Sequence, residues 1–216
     1  MDGRRLGLTL TTALAVGYAA LQHQGRTYGS TAAERHSELP GDDVVSHPDL
    51  DITHATTVHA PPEEVWPWLV QVGWHRGGWY TPRWVDRLLF PANAPSAEVV
   101  LPRWQGLRVG DVVPDGPPET ECGFTVLELR PRQRLLLHST THLPLSWRRR
   151  GWAAVDWSWV FVLHPVGEGA TRVVFRWRAV CRPWWLRWAA QAALVPADAV
   201  MSRGMLRGLA ERAERA

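Results

Sequence analysis

Lysine is absent from this 216-residue chain; all 24 basic residues are arginine, and asparagine occurs once, at Asn93. The skew reads as codon usage. The arginines are scattered, only Arg148, Arg149 and Arg150 stand three in a row, and neither a basic helix nor zinc-finger spacing accompanies them, so no nucleic-acid partner is expected despite the net charge of +3. Two cysteines, Cys122 and Cys181, are too few for a disulfide framework and read as buried thiols of a reducing, cytoplasmic compartment. None of the nine histidines joins a pair and a third ligand at zinc spacing, and Gly77-Gly78 is followed by no phosphate-binding lysine. Neither metal nor organic cofactor is expected.

Long apolar runs are scarce too. The one near the start, Leu6–Leu21, is interrupted by Gly7, Thr9, Thr11, Thr12 and Gly17, falls short of the roughly 20 residues a spanning helix needs, and lacks a small-x-small cleavage site. Residues 1–21 therefore read as a helix lying on the domain or on a membrane surface, as a membrane anchor, or as a signal-like segment. Residues 22–50, with Pro40-Gly41-Asp42-Asp43 and Pro48 as breakers, read as a polar linker, and residues 51–216 as the main domain.

Tryptophan is abundant instead: 14, against 3 Tyr and 4 Phe. "VWPWLVQVGWHRGGWYTPRW", residues 65–84, holds five of them. The preceding "ITHATTVHA" alternates as a strand with Ile52, His54, Thr56 and Val58 on one face. Pro61-Pro62 and Glu63-Glu64 then open a helix, with Pro67 tolerated near its start; Trp66 is expected in the core and Trp68 outside. A second helix fits 82–90, with Trp84 and Leu88 on a shared face. Five strand-like segments follow, at 107–114, 122–130, 134–141, 152–166 and 170–181, spaced as an antiparallel meander. In the last two, Val155, Trp157, Trp159, Phe161, Leu163, Val173, Phe175, Trp177, Ala179 and Cys181 share one face. Asp156, Ser158, Arg172, Arg176 and Arg178 take the other, which is expected to be wet. Residues 183–216 read as helix, broken or kinked at Pro196, with Val200, Met201, Met205, Leu206 and Leu209 as its apolar stripe. The order implies an α+β helix-grip fold: a curved antiparallel sheet wrapped around a long C-terminal helix, with two short helices after the first strand.

"VHAPPEEVWPWLVQVG" resembles the opening motif of the START/Bet v-like superfamily, also called SRPBCC or polyketide cyclase/dehydrase-like. "GGWYTPRWVDRLL" and "LPRWQGLRVGD" are similar to a bacterial subgroup of it with no settled activity. The resemblance spans about residues 39–215 and implies the fold. It does not choose among lipid carriers, receptors and cyclases.

An internal apolar cavity holding a small hydrophobic or lipid-like molecule is the expected function, with Trp79, Tyr80, Trp157, Trp159, Phe161, Phe175, Trp177, Met201 and Met205 as candidate lining. Plain packing competes with lining at each ring, and the "HRGGWY" loop reads equally as a gate or as a rigid connection plugged by Trp79. A cyclase- or dehydratase-type enzyme on an aromatic or polyketide substrate is the alternative; it needs an acid–base group in the pocket, for which His54, Tyr80 and His138 are the candidates. A third reading is a membrane-associated interaction protein whose core is filled by its own tryptophans. Trp/Arg mixtures at 182–188 and 147–152, with residues 6–21, are the candidate membrane contacts.

Overall fold

The computed structural model describes residues 3–89, 91–92 and 94–215; Phe90, the expected end of the second helix, lies outside them. Six antiparallel strands form one curved sheet: β1 (Leu50–Val58), β2 (Val112–Pro114), β3 (Gly123–Arg130), β4 (Arg134–Ser139), β5 (Ala154–Val166) and β6 (Ala170–Arg182). The order β1-β6-β5-β4-β3-β2 is a meander whose last strand takes β1 as its outer neighbour. The helices are α1 (Gly3–Thr27), α2 (Ala32–His36), α3 (Pro62–Val70), α4 (Arg83–Leu89), α5 (Leu145–Arg149), α6 (Trp184–Ala189) and α7 (Val195–Ala213). The long C-terminal helix packs against the concave face of the sheet, which is the helix-grip fold. β2 is much shorter than expected, because the chain turns at Arg108–Asp111, where Gly110 takes a positive φ of 91°.

Strand alternation puts Trp157, Trp159, Phe161, Phe175 and Trp177 on the concave face; the Phe161 and Phe175 rings stack at 4.5 Å. The expected order of the α3 tryptophans is reversed. Val65, Trp68 and Leu69, spaced i, i+3, i+4, form the inward stripe, so Trp68 is 3% exposed while Trp66 sits at its flank, only partly buried. Trp84 and Leu88 of α4 do share a face, but it is open to solvent. Pro196 does not break the C-terminal helix either. A π-helical turn, Ala190–Leu194, joins α6 to α7. Proline leaves the carbonyl four residues back without its helical donor, and that carbonyl, of Ala192, accepts the Tyr18 hydroxyl of α1 at 2.9 Å.

The convex face is wet only in part: Asp156 keeps about half of its side chain exposed, but Arg176 does not. Residues 31–44, expected within a linker, cross it as a strap. Arg176 is 2% exposed and donates to Asp42 Oδ2 at 2.6 Å, the Ser37 carbonyl at 2.8 Å, the Glu34 carbonyl at 2.8 Å and Thr53 Oγ1 at 2.9 Å. Its outward arginine is thus desolvated by backbone acceptors that the strap supplies. Leu39 and Val44 meanwhile cover Leu136, Val160 and Val162, a second small core. Among the described residues no helix is long and apolar enough to cross a membrane.

One strap contact is pH-sensitive. Hydrogen bonds from Arg172 at 2.7 and 2.8 Å hold the Glu34 carboxyl down at about 2, below the ordinary 4.5. A depressed carboxyl stabilises the fold above its unfolded value and loses that contribution as pH falls through the folded one. Glu34→Gln is therefore expected to lower the melting temperature at neutral pH. The gap to the parent should shrink as pH drops from about 4.5 toward about 2, which thermal melts across that window measure.

Candidate functional site

The loop after α3 folds back on itself through a bridge between Gly73 and Gly78. Gly78 has a φ of 77°, and a Cβ there would meet Ser96 Oγ at 2.5 Å, so no other residue fits. The loop delivers Trp79, 6% exposed, edge-on to Trp159 at 5.5 Å, and Phe124 closes the ring cluster at 4.5 Å from Trp159. It is well anchored. Arg76 donates to the Val72 and Val70 carbonyls at 2.9 and 2.8 Å, and Tyr80 Oη donates to the Trp68 carbonyl at 2.7 Å. A rigid connection plugged by Trp79 describes it better than a gate.

Between this cluster and α7 lies a chamber of about 70 Å³, bordered by Trp79, Thr81, Trp157, Trp159, Met201 and Met205, with Asp115, Asp198, Ser202 and Leu194 completing its wall. It holds roughly the volume of two waters. Asp115, Trp157 and Leu194 also border an open apolar cleft of about 690 Å³, walled by the 115–122 loop, Pro91-Ala92 and residues 142–145. The chamber and the cleft thus lie side by side with these walls in common. The Nε1 atoms of Trp79, Trp157 and Trp159 are buried without hydrogen-bond partners, so these indoles turn ring carbon toward the space.

Two carboxylates line the chamber, and each is paired with an imidazole. Asp198 Oδ2 lies 2.6 Å from His54 Nε2 and accepts Trp177 Nε1–H at 2.9 Å, and its Oδ1 accepts the Ser202 hydroxyl. Asp115 Oδ2 lies 2.9 Å from His142 Nε2, and His142 Nδ1 lies 2.8 Å from Ser139 Oγ. This chain of Ser139, His142 and Asp115 has the composition of a hydrolytic triad, but the Ser139 hydroxyl is buried and borders neither chamber nor cleft. It accepts Thr141 N–H at 3.0 Å and steadies His142, whose ring lies against Phe124 and Trp157. Cys122 borders the cleft, yet burial and the nearby Asp115 charge push its thiol up to about 11, so it is protonated and a poor nucleophile at neutral pH.

Of the residues expected to line the cavity, Trp79, Trp157, Trp159, Met201 and Met205 border it, whereas Phe161, Phe175 and Trp177 are packed behind it, fully buried. Tyr80 does not reach it: its hydroxyl is tied to the α3 backbone, and burial raises its pKa far above the ordinary value. His54 faces inward but touches the chamber only through Asp198. His138 is a correction: Leu135, Leu137 and Ser139 take the inward places of β4, and pleat parity turns His138 to the convex face, 2.6 Å from Asp156. Two groups escaped sequence reasoning. Asp198 and Ser202 were legible as polar residues spaced i, i+4 on the stripe of Met201 and Met205, whereas Asp115 and His142 come from loops with no pattern to mark them.

No protein-family model matches the chain, and no curated protein does. Solved structures do. A protein from Mesorhizobium loti is 16% identical over 77% of this chain and 98% of its own, with a TM-score of 0.40. One from Geobacillus kaustophilus is 14% identical over 77% and 96%, at 0.45. DynU16, described as a putative protein of the dynemicin biosynthetic locus, is 16% identical over 73% of this chain and 46% of its own, at 0.36. Likenesses at these scores carry no argument about activity.

Asp198→Ala would strand the His54 and Trp177 N–H groups in the core. We expect it to cost about 2–4 kcal/mol of stability, read from urea unfolding, with Asp198→Asn milder because it keeps an acceptor.

Proposed function

We propose that the protein binds a small, largely apolar molecule, one end in the aromatic chamber and the rest along the cleft. The observation that carries this reading is that the two spaces share Asp115, Trp157 and Leu194 as walls, with indole carbon and methionine lining the chamber. The sequence resemblance to the START/Bet v-like (SRPBCC) superfamily, and the helix-grip fold that goes with it, support the same reading. The chamber is too small for a whole lipid. At about 70 Å³ it fits the last few carbons of a chain, and the cleft takes the remainder.

The test uses the hydrophobic dye N-phenyl-1-naphthylamine. Saturable fluorescence enhancement is expected, and Met201→Trp, which fills the chamber from α7, should weaken it by at least about tenfold without changing the melting temperature by much. A dye that binds the variant as well as the parent would place binding elsewhere and end the reading.

One observation favours a second reading, the cyclase- or dehydratase-type enzyme: the chamber lies between two carboxylate–imidazole pairs, a layout suited to proton transfer within an apolar site. His142 and Asp115 then carry the acid–base role, in place of His138 and Tyr80. Incubation with aromatic polyketides, followed by mass spectrometry, is expected to show loss of water or a cyclised isomer, and Asp115→Asn to abolish it while dye binding persists. Unaltered substrate would sink it.

A further inference from the structure

We propose that the protein docks on the surface of an anionic lipid bilayer through a tryptophan–arginine face built by α5 and α6, beside the mouth of the cleft. Trp184 and Trp188 of α6 are 73% and 58% exposed, and Trp152, just after α5, is 59% exposed. The two segments are far apart in sequence, yet Trp147 and Trp185 meet edge to face at 5.7 Å, so their rings form one patch. Water-exposed indoles on this scale mark a surface that something else covers.

The chemistry of the patch points to lipid. Indole rather than leucine or phenylalanine suits the headgroup boundary, where a ring is half in oil and its N–H meets ester or phosphate oxygen. Guanidinium groups lie over two of these rings: Arg187 at 5.2 Å above Trp188, and Arg150 at 4.9 Å above Trp152. Residues 143–153 and 182–189 contain Arg148, Arg149, Arg150, Arg182 and Arg187 and no acidic residue. Among the described residues, acidic partners reach them from neighbouring segments: Glu121 to Arg149 at 3.1 Å and to Arg148 at 3.9 Å, and Asp49 to Arg187 at 3.4 Å. The face is therefore net positive, complementary to lipid phosphate.

Its position relative to the cleft follows from two residues. Leu145, in α5, and Leu194, at the end of the π-helical turn after α6, both line the cleft. The same turn holds α1 through Tyr18 and Gln22, and the earlier part of α1 exposes Leu10, Leu14 and Val16. That helix is apolar but not a spanning one, which suits in-plane contact with the same bilayer. Docking stands on the exposed rings alone. Only its use as the entry face for a ligand rests on the cavity reading.

The experiment is vesicle flotation of the full chain. It should float with phosphatidylcholine–phosphatidylglycerol vesicles, weakly with phosphatidylcholine alone, and less at high salt. The double variant Trp184→Ala/Trp188→Ala removes solvent-exposed rings, so its melting temperature should hold while vesicle affinity falls by at least about tenfold. Dye binding in solution should survive in that variant, which separates this proposal from the cavity reading. Absence of flotation, flotation equal in parent and variant, or self-association that the variant abolishes without any vesicle binding would each overturn it.

Discussion

The Asp198 carboxylate is the contact on which the inner architecture depends. It rises from the first turns of α7 and gathers an imidazole from β1, an indole N–H from β6 and a hydroxyl from its own helix. A buried carboxylate is tolerated only where such donors meet it, and these are fixed by elements that the chain brings together over more than a hundred residues. The helix is thereby held at one depth and rotation over the sheet. Met201 and Met205, on the same face, are aimed at the tryptophans as a consequence.

Where helix and sheet are held at a set distance, the size of the space between them becomes a matter of side-chain bulk. Indoles from two strands and one loop use most of it, leaving a chamber of about 70 Å³ beside a cleft of about 690 Å³. The space between helix and sheet is thus mostly filled, with a small volume left beside Met201 and Met205. The glycines of α7 help to decide the outcome. A Cβ at Gly208 would meet the Tyr80 carbonyl at 2.1 Å, so the loop that carries Trp79 packs directly on the helix backbone and cannot retreat to enlarge the chamber.

The architecture was legible because alternation over 152–181 and the helical spacing of 197–209 are local signals with one packing solution each. Burial of α3 was misread because Trp66 and Trp68 are equally apolar, and only the position of Val65 and Leu69 decides which turns inward. The convex face was misread for a different reason. Outward arginines normally mean solvent, and nothing in the periodicity of β6 shows that residues 31–44 return to meet them. The carboxylate–imidazole pairs were the least visible part of the site, since each joins residues from distant segments and pairing is set by topology rather than by spacing.

The covered convex face bears on the site as well. A sheet with one solvated face can flex away from its helix at little cost, whereas this sheet is clamped on both sides, by α7 within and by the Arg172 and Arg176 contacts to the strap without. The cleft, by contrast, is walled by loops: residues 115–122, residues 142–145 and the stretch around Pro91. The α5 end of that cleft carries the exposed tryptophans. On the binding proposed above, a guest would enter by its end, and the shape of that end, more than its length, is what the two methionines and three indoles would select.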